Sequence, residues 1–322
     1  MNILDCTLRD GGYYTDWHFD NELVRRLVKA LSNSEVDVIE LGYKSPIKGG
    51  PYRKCNDGFI SSVINFDVFH SKLSFMIDAK DYICRVAMKK SEIYDSLELI
   101  ERIQDLGYEV MCNLMQTSIL EGANIKYFTD CMDKVGVDVR YVADSYGALK
   151  PKDVTAIFEN HSVQGIHTHD NLNLAFANCV TALDSGAEWC DGTVTGMGRG
   201  VGNVFTEQLL QLRDGDISAD ALDLVDEFQS MKNKLGWGHE ADVMTDGSGY
   251  FAIGKDIQTV EAFESQSEPE IKVLRVVDKK SKVQRAQARF SKNVDQDFNK
   301  IIEQKTGVDW FKEYSAARAQ TE

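Results

Sequence analysis

A recurrent pattern, in which a helical segment ends at a glycine and an apolar strand follows, constrains the fold of this chain more than any other feature. A helix predicted over 91–106 ends at Gly107, another over 125–135 ends at Gly136, and the pattern recurs at Gly186. Glycine just past a helix end is the usual left-handed cap. Strands that alternate with helices in this way form a parallel sheet.

Eight strand candidates occur within residues 1–215, which fits a TIM (β/α)8 barrel. The alternative is an open doubly wound sheet, typically marked by a Gly-x-Gly-x-x-Gly turn after the first strand. That turn is absent there, and the glycine-rich run 198–202 follows the eighth strand instead. We therefore expect an α/β fold, with a TIM-barrel catalytic domain over 1–215 and a smaller, mainly helical extension over 216–322.

Three local predictions depend on side-chain periodicity. The first strand should cover residues 2–8, and Asp20 should cap a helix whose apolar residues recur every three or four positions. In the extension, a helix is predicted over 220–235. Its predicted buried residues are Leu222, Val225, Phe228 and Met231.

Polar residues gather where barrel strands should end, which is where TIM barrels carry their chemistry. His167 and His169 close the seventh strand, and they point to the same face because side chains alternate along a strand. Further polar residues stand at or just beyond other strand ends: Arg9, Asp10, Glu40, Asp144, Ser145 and Asn203.

His167, His169 and Asp10 are candidate ligands of a divalent metal. Two imidazoles and a carboxylate suit Mn²⁺ first, with Mg²⁺, Co²⁺ or Zn²⁺ as alternatives, and leave positions for substrate and water. The alternative for the two histidines is an ordinary hydrogen-bonded pair at a strand end. Asn203 either offers its amide oxygen to the metal or caps the helix that runs through Glu207.

Arg9, Glu40 and Asp144 are candidate catalytic residues beside these ligands. A fixed cation at Arg9 would stabilise an enolate oxygen, and a structural ion pair is the alternative. Glu40 and Asp144 either orient ligands and move protons or cap strand ends.

Four blocks of sequence together resemble a known group of enzymes. They are Thr-Leu-Arg-Asp-Gly at 7–11, Val-Ile-Glu-Leu-Gly at 38–42, Ala-Asp-Ser-Tyr-Gly at 143–147, and the run 167–203. In these blocks the chain is similar to the metal-dependent aldolases and condensing enzymes that include 4-hydroxy-2-oxovalerate aldolase, 3-hydroxy-3-methylglutaryl-CoA lyase and 2-isopropylmalate synthase. The resemblance implies a TIM barrel, and it gives roles to five residues. It implies a divalent metal on Asp10, His167 and His169, with Asn203 assisting and Arg9 on the enolate.

The chain departs from this family at the residue that transfers the proton. The hydroxy-oxovalerate aldolases have a general-base histidine shortly after the Arg-Asp pair, where this chain has Gly12, Tyr13 and Tyr14. Tyr13 and His18 are therefore the candidates for that role. The cysteine of the lyase's glycine loop is absent from 196–203, and Tyr250 is a candidate for reaching the mouth of the barrel.

The charge distribution bears on partners and substrates. A net charge of −15 argues against nucleic acid, and the absence of an apolar run of about 20 residues argues against a membrane span, so we expect a cytoplasmic protein. Cationic residues nevertheless stand in loops at the expected mouth, where they either bind an anionic substrate or are solvated surface charges that aid solubility. They are Lys44, Lys48, Arg53, Lys54 and Arg199. The basic segment 270–292 is either a solvated helix face or a docking surface for another subunit, in a homo-oligomer or with a different partner.

The expected function is that of a metal-dependent aldolase that cleaves a carbon–carbon bond through the enolate of a 2-oxo acid, with pyruvate as the donor and an aldehyde as the partner. One alternative is a Claisen-type synthase that condenses an acyl-CoA with a 2-oxo acid. Another is a barrel without activity that serves as a binding subunit.

Overall fold

The computed structural model describes residues 1–43, 52, 55, 71–76, 83–105 and 107–239. Eight parallel strands, paired in sequence order, close into a barrel, because β1 pairs with both β2 and β8. The strands are β1 Asn2–Asp5, β2 Val38–Tyr43, β3 Lys72–Met76, β4 Ile83–Met88, β5 Val110–Leu114, β6 Val139–Asp144, β7 Gly165–Thr168 and β8 Trp189–Gly192. The predicted TIM barrel is confirmed.

Helices connect the strands and surround the barrel. They are α1 Thr7–Thr15, α2 Asn21–Asn33, α3 Ile93–Asp105, α4 Gly122–Val135, α5 Pro151–Asn160, α6 Ala175–Asp184, α7 Thr206–Asp214 and α8 Ala219–Leu235. Asp20 caps α2 as predicted, since its carboxylate accepts hydrogen bonds from the backbone N–H groups of Glu22 and Leu23. Gly136 adopts the left-handed conformation after α4, with φ at 69°. These local signals were therefore read correctly from the sequence.

The first strand is shorter than predicted, because β1 ends at Asp5 and Thr7 already begins α1. The carboxylate of Asp5 accepts hydrogen bonds from the backbone N–H of Thr7 at 3.0 Å, from its hydroxyl at 2.9 Å and from the Thr206 hydroxyl at 2.6 Å. These bonds turn the chain at the top of the strand. Arg9 and Asp10 thus project from a buried helical turn and not from a strand end.

The barrel interior is layered by the alternation of side chains along the strands. A small apolar cluster with Leu4, Val38 and Met111 lies towards the amino-terminal ends of the strands. Two residues further along, Glu40 and Asn113 are buried on the same strand faces. The larger apolar core lies between the sheet and the surrounding helices. The interior therefore changes from apolar to polar towards the carboxyl ends of the strands.

Helix α8, which the sequence assigns to the extension, contacts the barrel helix α2. Arg26 forms an ion pair with Glu227, and the Ser34 and Ser218 hydroxyls lie 2.7 Å apart. The predicted buried stripe of α8 was wrong at Leu222, which is 50% exposed, whereas Phe228 is buried as expected. The division at 215/216 stays a prediction, and the basic segment 270–292 lies outside the described residues.

All seven cysteines lie among the described residues, and none of them forms a disulfide bond there. Within the described part of the chain, no helix is both long enough and apolar enough to cross a membrane.

Candidate active site

Asp10, His167 and His169 converge at the carboxyl end of the barrel. All three are buried, and one potential ligand atom from each lies within 4.8 Å of the other two. The two imidazole rings are perpendicular, with centroids 5.2 Å apart. The alternation predicted along the seventh strand thus brings both histidines to one place, although β7 itself ends at Thr168.

Each histidine is oriented through its Nδ1 atom. His167 Nδ1 lies 3.0 Å from an oxygen of Asp191, and His169 Nδ1 lies 3.2 Å from the carbonyl oxygen of Gly202. Nδ1–H donates to these acceptors in the tautomer that the contacts favour, so the lone pair of each ring is on Nε2. Both rings are therefore arranged as neutral nitrogen ligands.

Asp10 is held as an anion. Burial alone would raise the pKa of its carboxyl group, but the guanidinium groups of Arg9 and Arg199 hold that pKa well below its usual range. One carboxylate oxygen accepts from Arg9 Nη1 at 3.1 Å, and the other accepts from Asn203 Nδ2 at 2.5 Å. A buried anion beside two imidazole nitrogens is a suitable donor set for a divalent cation.

Arg9 is fixed between two carboxylates and keeps one donor for another group. Its Nε donates to Glu40 at 2.8 Å, while Nη1 donates to Asp10. The third nitrogen, Nη2, is buried and has no hydrogen-bond partner among the described residues. A buried donor of this kind costs free energy unless a ligand accepts from it. Glu40 holds the Arg9 guanidinium in place, and the catalytic role expected for Glu40 stays a prediction.

Asn203 belongs to the site and does not cap α7, whose N-cap residue is Phe205. Its amide oxygen is buried without a hydrogen-bond partner among the described residues, while its amide nitrogen donates to Asp10. Within the glycine-rich segment 196–203, called the glycine loop below, Gly198 packs closely against Asn203 and Asp10. A Cβ on Gly198 would lie 2.1 Å from Asn203 Nδ2 and 2.6 Å from Asp10 Oδ2. The orphaned oxygen and the three converging ligand atoms fit a divalent metal.

A second group of potential ligand atoms shares His167 with the first. Cys6, His167 and Asp191 also have ligand atoms within 4.8 Å of one another. The Cys6 thiol donates to the carbonyl oxygen of Gly192, and burial raises its pKa well above the usual value. A neutral thiol is a poor metal ligand, so the group with Asp10 is the better metal site.

Asp144 is hydrogen-bonded to the backbone of the turn that follows β6, and its catalytic role stays a prediction. Its two carboxylate oxygens accept from the backbone N–H groups of Ala148 and Leu149, at 3.0 and 2.9 Å. Burial raises its pKa to about 6, against the opposing effect of these hydrogen bonds. Asp144 therefore shapes the turn after β6. In that turn, the Ser145 carbonyl accepts from Arg199 at 3.0 Å.

The candidates for proton transfer lie on or just after α1. Tyr13 packs edge-on against Trp17, with ring centroids 4.8 Å apart, and His18 is exposed. Sequence reasoning passed over Tyr14, whose hydroxyl donates to the Gly200 carbonyl in the glycine loop at 3.0 Å. Burial, and then the negative charge of Asp10, raise the pKa of Tyr14. Tyr14 therefore contacts the glycine loop through its hydroxyl and keeps its proton at neutral pH.

The structure also places two residues that sequence analysis missed, Arg85 and Asp191, in the barrel interior. Both are buried, and Arg85 Nη2 donates to Asp191 at 2.7 Å. A charged residue in the middle of an apolar strand, as Arg85 is in β4, was the signal that could have found them. The predicted substrate-binding residues Lys44, Arg53 and Tyr250 lie outside the described residues, as do Lys48 and Lys54.

Comparison with known proteins assigns this chain to a family. The model of a family described as HMGL-like matches residues 71–227, which include both histidines and the glycine loop. The 4-hydroxy-2-oxovalerate aldolase of Chloroflexus aggregans is 30% identical over 239 residues, which are 66% of this chain and 68% of that protein. The chain belongs to the HMGL-like family.

Other family relatives agree in chemistry. The oxaloacetate decarboxylase of Mycobacterium tuberculosis is 29% identical over 247 residues, covering 69% of this chain and 73% of that protein. Both relatives are named for reactions that break a carbon–carbon bond of a 2-oxo acid. The expectation of an oxo-acid lyase is confirmed at this level.

Solved structures support the fold. The N-terminal domain of a proposed aldolase from Bacteroides vulgatus is similar at a TM-score of 0.70 and 26% identity, covering 83% of this chain and 97% of that chain. An HMG-CoA lyase from Bacillus subtilis has a TM-score of 0.60 at 17% identity, covering 74% of this chain and 94% of that chain. This second likeness bears on the barrel architecture alone.

Proposed function

We propose that this protein is a divalent-metal-dependent aldolase that cleaves a 2-oxo acid through the enolate of pyruvate. The observation that carries the proposal is the unpartnered Nη2 of Arg9, buried beside three converging ligand atoms. Aldol cleavage of a 4-hydroxy-2-oxo acid and decarboxylation of oxaloacetate share that enolate, so one site accounts for the chemistry of both relatives.

Asp10, His167 and His169 would hold the metal, with the amide oxygen of Asn203 as a further ligand. When bound, the ion supplies Lewis-acid polarisation of the 2-oxo acid, and two nitrogen and two oxygen donors suit Mn²⁺ first. Because Glu40 and Asp10 fix its guanidinium, Arg9 offers Nη2 to the oxygen on which negative charge develops.

Tyr14 is the better candidate for proton transfer than Tyr13 or His18. Its hydroxyl lies 3.0 Å from the Gly200 carbonyl in the glycine loop, which also packs against Asp10, and this position supports a role in proton transfer to the enolate carbon. Tyr14→Phe should therefore lower kcat for pyruvate release. A larger loss in Tyr13→Phe than in Tyr14→Phe would restore the assignment made from sequence.

Pyruvate release tests the reaction type. Purified protein with and without Mn²⁺ is offered 4-hydroxy-2-oxo acids of several lengths, oxaloacetate, and acetyl-CoA with a 2-oxo acid. We expect metal-dependent pyruvate release from the first class. Release of free CoA from the last mixture would support the synthase, and no product in any mixture would support a binding subunit.

We also propose that the aldehyde partner is anionic, either phosphorylated or nucleotide-linked. Support comes from Arg199, which is fixed on the Ser145 carbonyl and adds positive charge near Asp10, and from the lysines and arginines that follow β2 in the sequence.

Kinetics on Lys44→Ala and on the double variant Arg53→Ala/Lys54→Ala test this substrate class. The KM for the aldehyde should rise while exchange of the pyruvate methyl protons stays normal, and high salt should shrink the effect. Lys134→Ala is the matched control, because Lys134 is exposed in the last turn of α4, at the opposite end of the barrel. An unchanged KM in both test variants would leave a small neutral aldehyde as the partner.

A further inference from the structure

Arg85 is fully buried inside the barrel and joins two carboxylates. Its Nη1 lies 3.3 Å from Glu40 Oε2, and its Nη2 lies 2.7 Å from Asp191 Oδ2. The guanidinium carbon also lies 4.7 Å from the centroid of the Tyr141 ring. Two carboxylates thus bind the edge of the guanidinium plane, and the Tyr141 ring lies against one of its faces.

Both carboxylates are shared with residues of the candidate active site. The same Glu40 oxygen accepts from Arg9 Nε at 2.8 Å, and the same Asp191 oxygen lies 3.0 Å from His167 Nδ1. One continuous chain of charge-assisted contacts therefore runs from Arg9 through Arg85 to His167.

Stability does not account for this arrangement. Burial of ions is costly, and a well-packed apolar substitute for a buried ion pair is often as stable or more stable. The planar guanidinium has one property that an apolar residue or a lysine lacks, since its fork fixes two carboxylates at a set angle and distance. The interior ion pairs thus fit a role in geometry.

We propose that Arg85 is a positioning residue that sets, through Glu40, the direction of the Arg9 guanidinium and, through Asp191, the tilt of the His167 imidazole. The inference rests on the proposed function, because it assigns Arg9 to the enolate and His167 to the metal. It predicts that one residue outside the ligand set controls two separable steps, metal binding and enolate formation.

Two measurements separate these steps. Calorimetric titration of the apoprotein with Mn²⁺ reports metal affinity, and exchange of the pyruvate methyl protons with deuterium at saturating Mn²⁺ reports enolate formation. Asp191→Asn should weaken Mn²⁺ binding about 10- to 100-fold, as loss of a ligand's supporting partner does. Glu40→Gln should instead slow proton exchange with Mn²⁺ saturating.

Arg85→Met should impair both properties, and Arg85→Lys should recover part of each. Val86→Ala is the matched control, because Val86 is buried on the same strand but faces the helices. It should lower the Tm and leave both Mn²⁺ affinity and exchange unaltered. If Arg85→Met does not fold, Arg85→Lys decides, since a lysine cannot hold both carboxylates and should still show the two defects.

The inference is overturned if Arg85 variants that fold behave like Val86→Ala, or if only one of the two properties changes. Failure of the proposed function is a distinct result: the unaltered protein would then neither bind Mn²⁺ nor exchange pyruvate protons.

Discussion

Replacing Gly198 by alanine should disable the site without unfolding the protein. A Cβ there would lie 2.1 Å from Asn203 Nδ2 and 2.6 Å from Asp10 Oδ2. Non-bonded carbon contacts are comfortable near about 3.5 Å, so the Asn203 amide must move by more than about 1 Å. That movement displaces the amide oxygen of Asn203 and breaks the hydrogen bond from its amide nitrogen to Asp10.

The expected loss follows from the displacement. Misplacement of a group by about 1 Å costs on the order of 10²-fold in rate, which is about 2.7 kcal/mol of transition-state stabilisation. Mn²⁺ affinity should fall about 10- to 100-fold, since Asn203 supports Asp10. The backbone of Gly198 lies outside the left-handed region, so alanine adds no backbone strain. The displacement of Asn203 should cost about 1–3 kcal/mol of folding free energy, which lowers the Tm but leaves the protein folded.

The assay couples pyruvate release to NADH oxidation by lactate dehydrogenase, as a function of Mn²⁺ concentration. Gly122→Ala is the control, because its Cβ would lie 3.6 Å from the His161 ring, which is an ordinary van der Waals contact. Neither Gly122 nor His161 belongs to the candidate site. Wild-type Mn²⁺ affinity and kcat in a folded Gly198→Ala protein would refute the packing argument and remove Asn203 from the ligand set.

Three further predictions concern the ligands, Arg9 and pH. Asp10→Ala and His169→Ala should each abolish turnover by loss of the metal, and full metal content in both purified variants would contradict the assignment. Arg9→Lys should keep metal binding and lower kcat by about 10²-fold or more, whereas an unchanged kcat would return Arg9 to a structural role. Burial raises the pKa of Glu207 from 4.5 to about 7, so its protonated form favours folding. This contribution is complete below about pH 4.5 and is lost as the pH rises through 7. The free energy of unfolding of Glu207→Gln, measured with urea, should therefore rise relative to wild type between pH 5 and pH 8. The same difference between variant and wild type at both pH values would contradict the prediction.

Much of the fold could be predicted from sequence because its signals are local. A glycine past a helix end, an aspartate before a helix and a two-residue alternation each depend on backbone preferences within a few residues. The pairing of His167 with His169 was predictable for the same reason. The barrel followed from repetition of these units, and Asp10 and Asn203 became candidates because they stand at or just beyond predicted strand ends.

The remaining features depend on contacts between distant parts of the chain. Residues 6–8 were predicted to continue the first strand, yet the hydroxyl of Thr206 helps Asp5 to turn the chain into α1. Arg85 and Asp191 are 106 positions apart, and their pairing exists because the strands close into a ring. Local sequence determines which backbone conformation a segment prefers. The partner of a buried charge is decided instead by barrel closure, which brings Asn2 beside Trp189, and Asp10 of α1 to the two histidines at the end of β7.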